Sequence, residues 1–130
     1  MEPFREKIQQ GMPVWGTCAG MILLAKELDQ DPVVHLGMMD ITVRRNAYGT
    51  QIDSFDTQVV IPEVSDEQIP LVFIRAPYIV RTGERVKVLC EVEIHVVAAR
   101  EKNMLATSFH PELTGNAAFH QYFIGMCSGK

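Results

Sequence analysis

The chain of 130 residues is long enough for one domain with a real core, and its 47% hydrophobic and 22% charged residues are ordinary for a globular protein. The net charge of -4 argues against nucleic acid as a partner, and the apolar runs are too short to span a bilayer. The N-terminus lacks the apolar core of a signal peptide. Three cysteines without framework-like spacing favour free thiols in a reducing, cytoplasmic setting.

The first part of the chain is predicted to form a helix, a strand and a second helix. Residues 3–10 are expected to be a short amphipathic helix that ends at Gly11. Residues 13–15 form a short apolar run that is typical of a buried strand. Strong helix formers follow over residues 19–28, and the prolyl segment at Pro32 predicts the end of that helix.

The rest of the chain is predicted to be mainly β-strand, with a helix at its end. Loops are expected at residues 45–53 and 62–69, and a turn at Gly83. Close spacing and the turn signal at residues 102–103 predict that the last three strands are adjacent and antiparallel. The strands are expected at residues 41–44, 55–61, 71–74, 86–92, 94–99 and 104–108, and the terminal helix at residues 119–126.

Cys18 is the leading candidate for a catalytic nucleophile. Gly16 and Gly20 flank it in the cysteine version of the nucleophile elbow, in which small residues permit a strained turn between a strand and a helix. A position at a helix N-terminus favours the thiolate, because unpaired N–H groups and the helix dipole stabilise negative charge. The alternative is that Cys18 is an inert packing residue, as a lone cysteine between small residues usually is.

A second stretch, at residues 107–113, supplies a base and a carboxylate. His110 and Glu112 lie two residues apart after another apolar run, and in an extended segment their side chains would point the same way. A thiol, an imidazole base and a carboxylate that orients the imidazole form a nucleophilic triad. The second stretch therefore favours a catalytic interpretation of Cys18 over a packing one.

Four stretches, in this order along the chain, resemble a known family. G-T-C-A-G at residues 16–20 and F-H-P-E-L at residues 109–113 are similar to the motifs of triad-type (class I) glutamine amidotransferases. R-R-N-A-Y-G-T-Q-I-D-S-F at residues 44–55 and F-I-R-A-P at residues 73–77 narrow the resemblance to the glutaminase subunit of pyridoxal 5'-phosphate synthase. The resemblance implies a flavodoxin-like α/β fold in three layers, a mixed sheet with helices on both faces. The elbow should lie at the carboxyl end of a strand.

The resemblance also implies the chemistry and the roles of four residues. L-glutamine would be hydrolysed to glutamate and ammonia, and the ammonia would pass to a partner synthase subunit that builds pyridoxal 5'-phosphate. Cys18 would attack the side-chain amide, His110 would move the protons, Glu112 would orient His110, and the N–H of Ala19 would stabilise the oxyanion. This chemistry calls for no cofactor, and no cysteine–histidine cluster in the sequence has the spacing of zinc ligands.

The glutamine pocket is assigned to three further residues by the same resemblance. Arg44 and Arg45 would by default be a solvated pair of charges, but a guanidinium fork matches the carboxylate of an amino acid. The resemblance selects Arg45 for this contact. It also places Ile74 and Arg75 in the lining of the pocket.

One part of the family pattern is absent from this sequence. The family's chain starts with strands that lead to a Gly-Gly-Glu-Ser turn, which binds glutamine and lends a second oxyanion N–H, but this sequence has no Gly-Gly pair. Residues 1–130 are therefore expected to be a single but partial amidotransferase domain without its first strands, nearly inactive alone. Two alternatives stay open: a non-catalytic fragment that keeps only the partner-binding face, and a triad amidotransferase that serves another acceptor.

Overall fold

A computed structural model describes residues 2–28, 36–44, 54–74, 77–92 and 95–128. Nine strands, three α-helices and one 3₁₀ turn lie within these residues. The helices are α1 (Glu2–Gln9), α2 (Ala19–Leu24) and α3 (Ala118–Cys127), and the 3₁₀ turn is Pro111–Leu113. The strands are β1 (Val14–Thr17), β2 (Ala25–Leu28), β3 (Met39–Arg44), β4 (Ser54–Ile61), β5 (Ser65–Ile74), β6 (Tyr78–Thr82), β7 (Lys87–Val92), β8 (His95–Glu101) and β9 (Met104–Thr107).

The central sheet is mixed. Its strands run in the order β1-β9-β8-β6-β3-β2, and β7 branches from β8, so β1 is at one end of the sheet within the described part of the chain. The pairs β1–β9 and β2–β3 are parallel, whereas the remaining pairs of this sheet are antiparallel. The predicted antiparallel arrangement of β7, β8 and β9 is therefore confirmed. Strands β4 and β5 form a separate antiparallel hairpin.

Helices cover both faces of the sheet, as the three-layer prediction requires. All four residues of β9 are buried, and their side chains alternate between the two faces. Ala106 belongs to a core that includes Ile8 of α1 and Met21 of α2. Leu105 belongs to a second core, which includes Phe119 of α3 and the inner side chains of the β4–β5 hairpin. Burial on both faces explains why β9 consists of small and apolar residues.

The helix predicted over residues 19–28 is correct only for its first six residues. Ala25 leaves the helical backbone with φ -64° and ψ 139°, and Ala25–Leu28 instead pairs in parallel with β3. Intrinsic helix propensity amounts to less than about 1 kcal/mol per residue, so tertiary pairing overrides it easily. Strand pairing also buries Ala25 and Leu28 at the sheet.

Two stretches predicted as irregular are also strands. Residues 65–69, expected in a loop, belong to β5 because Ser65 pairs with Ile61 and Ile69 with Val59 across the hairpin. The unpredicted strand β6 fits between β3 and β8. Within the described residues, every helix is too short or too polar to cross a membrane.

Side chains reinforce the β3–β6 pair. Arg81 donates from Nη2 to Asp40 Oδ1 at 2.8 Å and from Nε to Thr42 Oγ1 at 3.1 Å. The hydrogen bond from Arg81 holds the pKa of the Asp40 carboxyl below its ordinary range. These partners lie about forty residues apart in the chain, which is why the local pattern of residues carries no sign of β6.

Candidate active site

Parallel pairing of β1 with β9 brings the two candidate catalytic stretches to one edge of the sheet. Thr17 lies opposite Thr107, so both strands end at the same level. Cys18 follows directly, and His110 comes three residues after Thr107. As a result Cys18 Sγ lies 3.2 Å from His110 Nε2, although the two residues are separated by 92 positions. The predicted elbow position, at the carboxyl end of a strand, is confirmed.

Cys18 occupies a strained turn between β1 and α2. Its φ of 51° and ψ of -103° lie in a region that residues other than glycine rarely adopt. Hydrogen bonds on both sides hold this conformation: the Cys18 N–H donates to the Thr107 carbonyl at 2.8 Å, and the Met21 N–H donates to the Cys18 carbonyl at 3.0 Å. Strain of this kind costs about 1–3 kcal/mol and persists only where surrounding structure imposes it.

The two glycines that flank Cys18 have different roles in the turn. A Cβ added to Gly16 would come within 2.6 Å of the carbonyl carbon and oxygen of Gly20 and 2.9 Å of the Met21 nitrogen. A Cβ added to Gly20 would meet nothing within 4 Å. The close approach of strand and helix backbones therefore requires glycine at position 16 only.

We expect Gly16→Ala to destabilise the protein by about 1–3 kcal/mol, because the new methyl group meets backbone atoms that cannot move aside. Gly20→Ala is the matched control, since the site is open and alanine favours helix. Urea unfolding of the two variants and the parent measures the difference. A Gly16→Ala variant as stable as Gly20→Ala would contradict the close approach at the elbow.

The thiol of Cys18 has two acceptors within reach. Its Sγ donates to the carbonyl oxygen of Ser108 at 3.1 Å and lies 3.2 Å from His110 Nε2. The carbonyl favours the protonated thiol because it needs an S–H donor, whereas a protonated imidazole favours the thiolate. Proton transfer from sulfur to His110 can therefore convert one state into the other. This geometry suits a thiol nucleophile and its general base.

The other two cysteines differ from Cys18. Burial, and secondarily the charge of Glu91, raises the pKa of the Cys90 thiol to about 11, so Cys90 remains protonated at neutral pH. Cys127 is exposed near the end of α3. Cys18 combines partial exposure with a histidine contact.

A backbone hydrogen bond anchors the candidate base to the β4–β5 hairpin. The His110 N–H donates to the carbonyl of Val72 in β5 at 2.8 Å. Beyond His110 the chain enters the 3₁₀ turn Pro111–Leu113, so the extended geometry expected for the pair of residues 110 and 112 is wrong. Pro111 explains the turn, because its fixed φ favours the first position of a helical segment. The side chain of Glu112 lies outside the described atoms, and its role stays a prediction.

The remaining candidates lie at or beyond the ends of described elements. Ala19 is the first residue of α2, so its N–H has no acceptor within the helix. Ile74 ends β5, and its side chain is not described. Arg45 and Arg75 lie outside the described residues. Within the described part of the chain, no group of three or more histidine, cysteine or acidic side chains could hold a metal ion.

Sequence reasoning missed several groups that contact the candidate pair. The Thr107 and Ser108 carbonyls lie in a stretch that the sequence marked, but their backbone roles depend on the register between β1 and β9. No sequence signal pointed to the contact from Val72, because that residue belongs to a different sheet.

A cysteine on a strand-to-helix turn, beside a histidine from the neighbouring parallel strand, is an arrangement of α/β enzymes with a nucleophilic thiol. A sequence comparison identifies the group within this class. The chain belongs to the SNO glutamine amidotransferase family, whose profile matches residues 1–129. The resemblance predicted from the four motifs is thereby confirmed.

Individual relatives agree with the family match. The chain is 59% identical over 124 residues to pyridoxal 5'-phosphate synthase subunit PdxT of Clostridium acetobutylicum, covering 95% of this chain and 67% of the relative. It is 58% identical over 127 residues to the protein of the same name from Clostridium kluyveri, covering 98% and 68%. The chain therefore spans about two thirds of the length of these relatives.

Solved structures confirm the predicted fold class. A crystal structure of a glutamine amidotransferase matches with a TM-score of 0.90 and 38% identity, covering 98% of this chain and 67% of that one. A GMP synthase protein from Thermoplasma acidophilum matches with a TM-score of 0.66 and 17% identity, covering 97% and 63%. The second match shows a shared fold only.

Proposed function

We propose that this chain hydrolyses L-glutamine to glutamate and ammonia, and that it assembles with a pyridoxal 5'-phosphate synthase subunit that receives the ammonia. The observation that carries the proposal is the 3.2 Å contact between Cys18 Sγ and His110 Nε2 on a strained elbow. Membership of the SNO glutamine amidotransferase family supplies the substrate class. The names of the relatives, as subunits of that synthase, supply the acceptor.

In the proposed mechanism, His110 takes the thiol proton as Cys18 attacks the side-chain carbonyl carbon of glutamine. The N–H of Ala19 stabilises the oxyanion of the tetrahedral intermediate. The C–N bond then breaks, His110 returns the proton to the leaving nitrogen, and ammonia departs from a γ-glutamyl thioester. Water, activated by His110, hydrolyses the thioester to glutamate and restores the thiol. Glu112 orients His110, and thiol catalysis of this kind requires no metal ion or organic cofactor.

The topology of the hairpin supports a glutamine pocket near His110. Ser54, where the segment carrying Arg45 enters β4, pairs with Ile74, from which the chain continues to Arg75. Two residues before Ile74, the Val72 carbonyl binds the His110 backbone. Chain connectivity thus joins both arginines to the end of the hairpin that adjoins the candidate base. Guanidinium groups there suit the α-carboxylate of glutamine.

We expect Arg45→Ala and Arg75→Ala to raise KM for glutamine about 10- to 100-fold, with a smaller change in kcat. A charge-assisted contact to a carboxylate that does not react contributes about 1.5–3 kcal/mol of uniform binding. Steady-state glutaminase kinetics measure the split. Arg44→Ala is the neighbouring control, because the Arg44 guanidinium lies 3.5 Å from the Tyr78 hydroxyl and is not assigned to the pocket. An unchanged KM in both test variants would reject the pocket.

We expect Glu112→Gln to lower kcat less than His110→Ala does. In the proposed roles Glu112 only orients and stabilises the imidazole, whereas His110 transfers the protons. In subtilisin, loss of the acidic triad member costs about 3 × 10⁴ in kcat, against about 2 × 10⁶ for the other members. Parallel kcat measurements on the two variants test this order. A loss at Glu112 equal to or greater than that at His110 would reject the assigned roles.

The proposal as a whole is tested with the chain and its synthase subunit together. We expect glutamate release from glutamine, co-purification of the two proteins, and pyridoxal 5'-phosphate formation with glutamine as nitrogen source. Co-purification without glutamate release would favour the non-catalytic alternative. Glutamate release without association would favour another acceptor. Because the nucleophilic thiol must stay free, a reducing compartment such as the cytoplasm is part of the proposal; none of the three cysteines is paired.

A further inference from the structure

We propose that the Trp15 indole and the Thr107 hydroxyl form a positioning pair that holds the candidate nucleophile and base at their working distance; this inference rests on the proposed function. Trp15 Nε1 donates to Thr107 Oγ1 at 3.0 Å and so links the side chains of β1 and β9. Trp15 lies three residues before Cys18, and Thr107 three residues before His110. The link is therefore equally close, along each strand, to the two groups whose separation matters.

Thr107 is the residue at which the two catalytic stretches meet. Its carbonyl accepts the Cys18 N–H at 2.8 Å, and its hydroxyl accepts the Trp15 indole N–H. The residue has no exposed surface. A shift of Thr107 would therefore move the backbone of the elbow and the start of the segment that carries His110 together.

Strand β1 needs such a link because its backbone is secured on one side. It has four residues, and within the described part of the chain it pairs with β9 alone. The strained conformation of Cys18 favours relaxation of the turn that follows the strand. A side-chain hydrogen bond between the strands opposes sliding or separation at this level.

Helix α3 fixes the indole on its other side. The Trp15 ring lies 6.3 Å from the Phe119 ring, 5.3 Å from the His120 ring and 5.5 Å from the Phe123 ring, measured between centroids. These contacts restrict the ring orientations open to Trp15 and keep its N–H directed at Thr107. The terminal helix is thus connected to the elbow through one side chain.

The test measures the reactivity of the Cys18 thiol with iodoacetamide as a function of pH, in the full chain. Cys127→Ser removes the exposed competing thiol, and Cys90 reacts slowly because its pKa is about 11. The test variants are Thr107→Val, which removes the acceptor at constant shape, and Trp15→Phe, which removes the donor. Thr107→Ser keeps the hydroxyl and is the conservative control.

We expect alkylation near neutral pH to slow by about 3- to 10-fold in Thr107→Val and in Trp15→Phe, which corresponds to about half to one unit in the apparent pKa of the thiol. Rates should converge with the parent at alkaline pH, and Thr107→Ser should retain the parent profile. The double variant should be no slower than either single variant, because both remove one interaction. The glutaminase kcat should fall in the same order while KM changes little.

Parent-like pH profiles in both single variants would overturn the proposal, whatever their melting temperatures, because a purely structural role lowers stability alone. Additive losses in the double variant would also overturn it. If Thr107→Val does not fold, Trp15→Phe decides, since phenylalanine keeps an aromatic ring against α3. Alkylation requires no glutamine, so a chain without glutaminase activity would refute the proposed function while leaving this result readable.

Discussion

Cys18→Ala is expected to remove the glutaminase activity of the complex with the synthase, with a loss of about 10⁶ in kcat. Removal of a triad nucleophile costs about this much in subtilisin, where binding and the oxyanion hole supply the residual rate. The expectation follows from the strained elbow and the 3.2 Å contact with His110. Glutamate release, measured with the synthase subunit present, gives the rate.

Two controls separate loss of chemistry from loss of assembly. Cys127→Ala removes an exposed cysteine near the end of α3 and should leave turnover unchanged. Ammonium salt supplied directly should restore pyridoxal 5'-phosphate formation by the Cys18→Ala complex, because only the nitrogen source is lost. Glutamate release within tenfold of the parent would reject Cys18 as the nucleophile.

His110→Ala should cause a loss of similar size, because the thiol would lose its base and the leaving nitrogen its proton donor. The double variant with Cys18→Ala should be no slower than either single variant, since members of a catalytic unit do not contribute additively. His95→Ala is the matched histidine control; its ring packs 4.0 Å from the ring of Tyr78. Full multiplication of the two losses in the double variant would contradict a shared step at Cys18 and His110.

The sequence predicted the elbow well because its signals are local. Gly16, Cys18 and the helix formers after them lie within a few residues, and the strand, turn and helix follow in that order. The need for glycine at position 16 alone could not be read from the motif, because it depends on how closely the α2 backbone approaches β1. The motif treats Gly20 in the same way, although that site is open.

Features that depend on distant pairing were the ones that sequence reasoning missed. Strand β2 was predicted as helix, and β6 was not predicted, because each is stabilised by pairing with β3. The contact between Cys18 and His110 has the same origin: the motifs nominated both residues, but only the register of Thr17 with Thr107 brings them together. The 3₁₀ turn at Pro111 shows the reverse case, since proline alone could have signalled it.

The most direct test of the account is to identify which atom of the protein attacks a glutamine-like electrophile. A diazoketone analogue of L-glutamine would be incubated with the chain in complex with its synthase partner, and the modified peptide would be identified by mass spectrometry. The account predicts one label per chain, on Cys18, that L-glutamine prevents and that His110→Ala slows strongly. A label on Cys90 or Cys127, or a label on Cys18 that L-glutamine does not prevent, would contradict it.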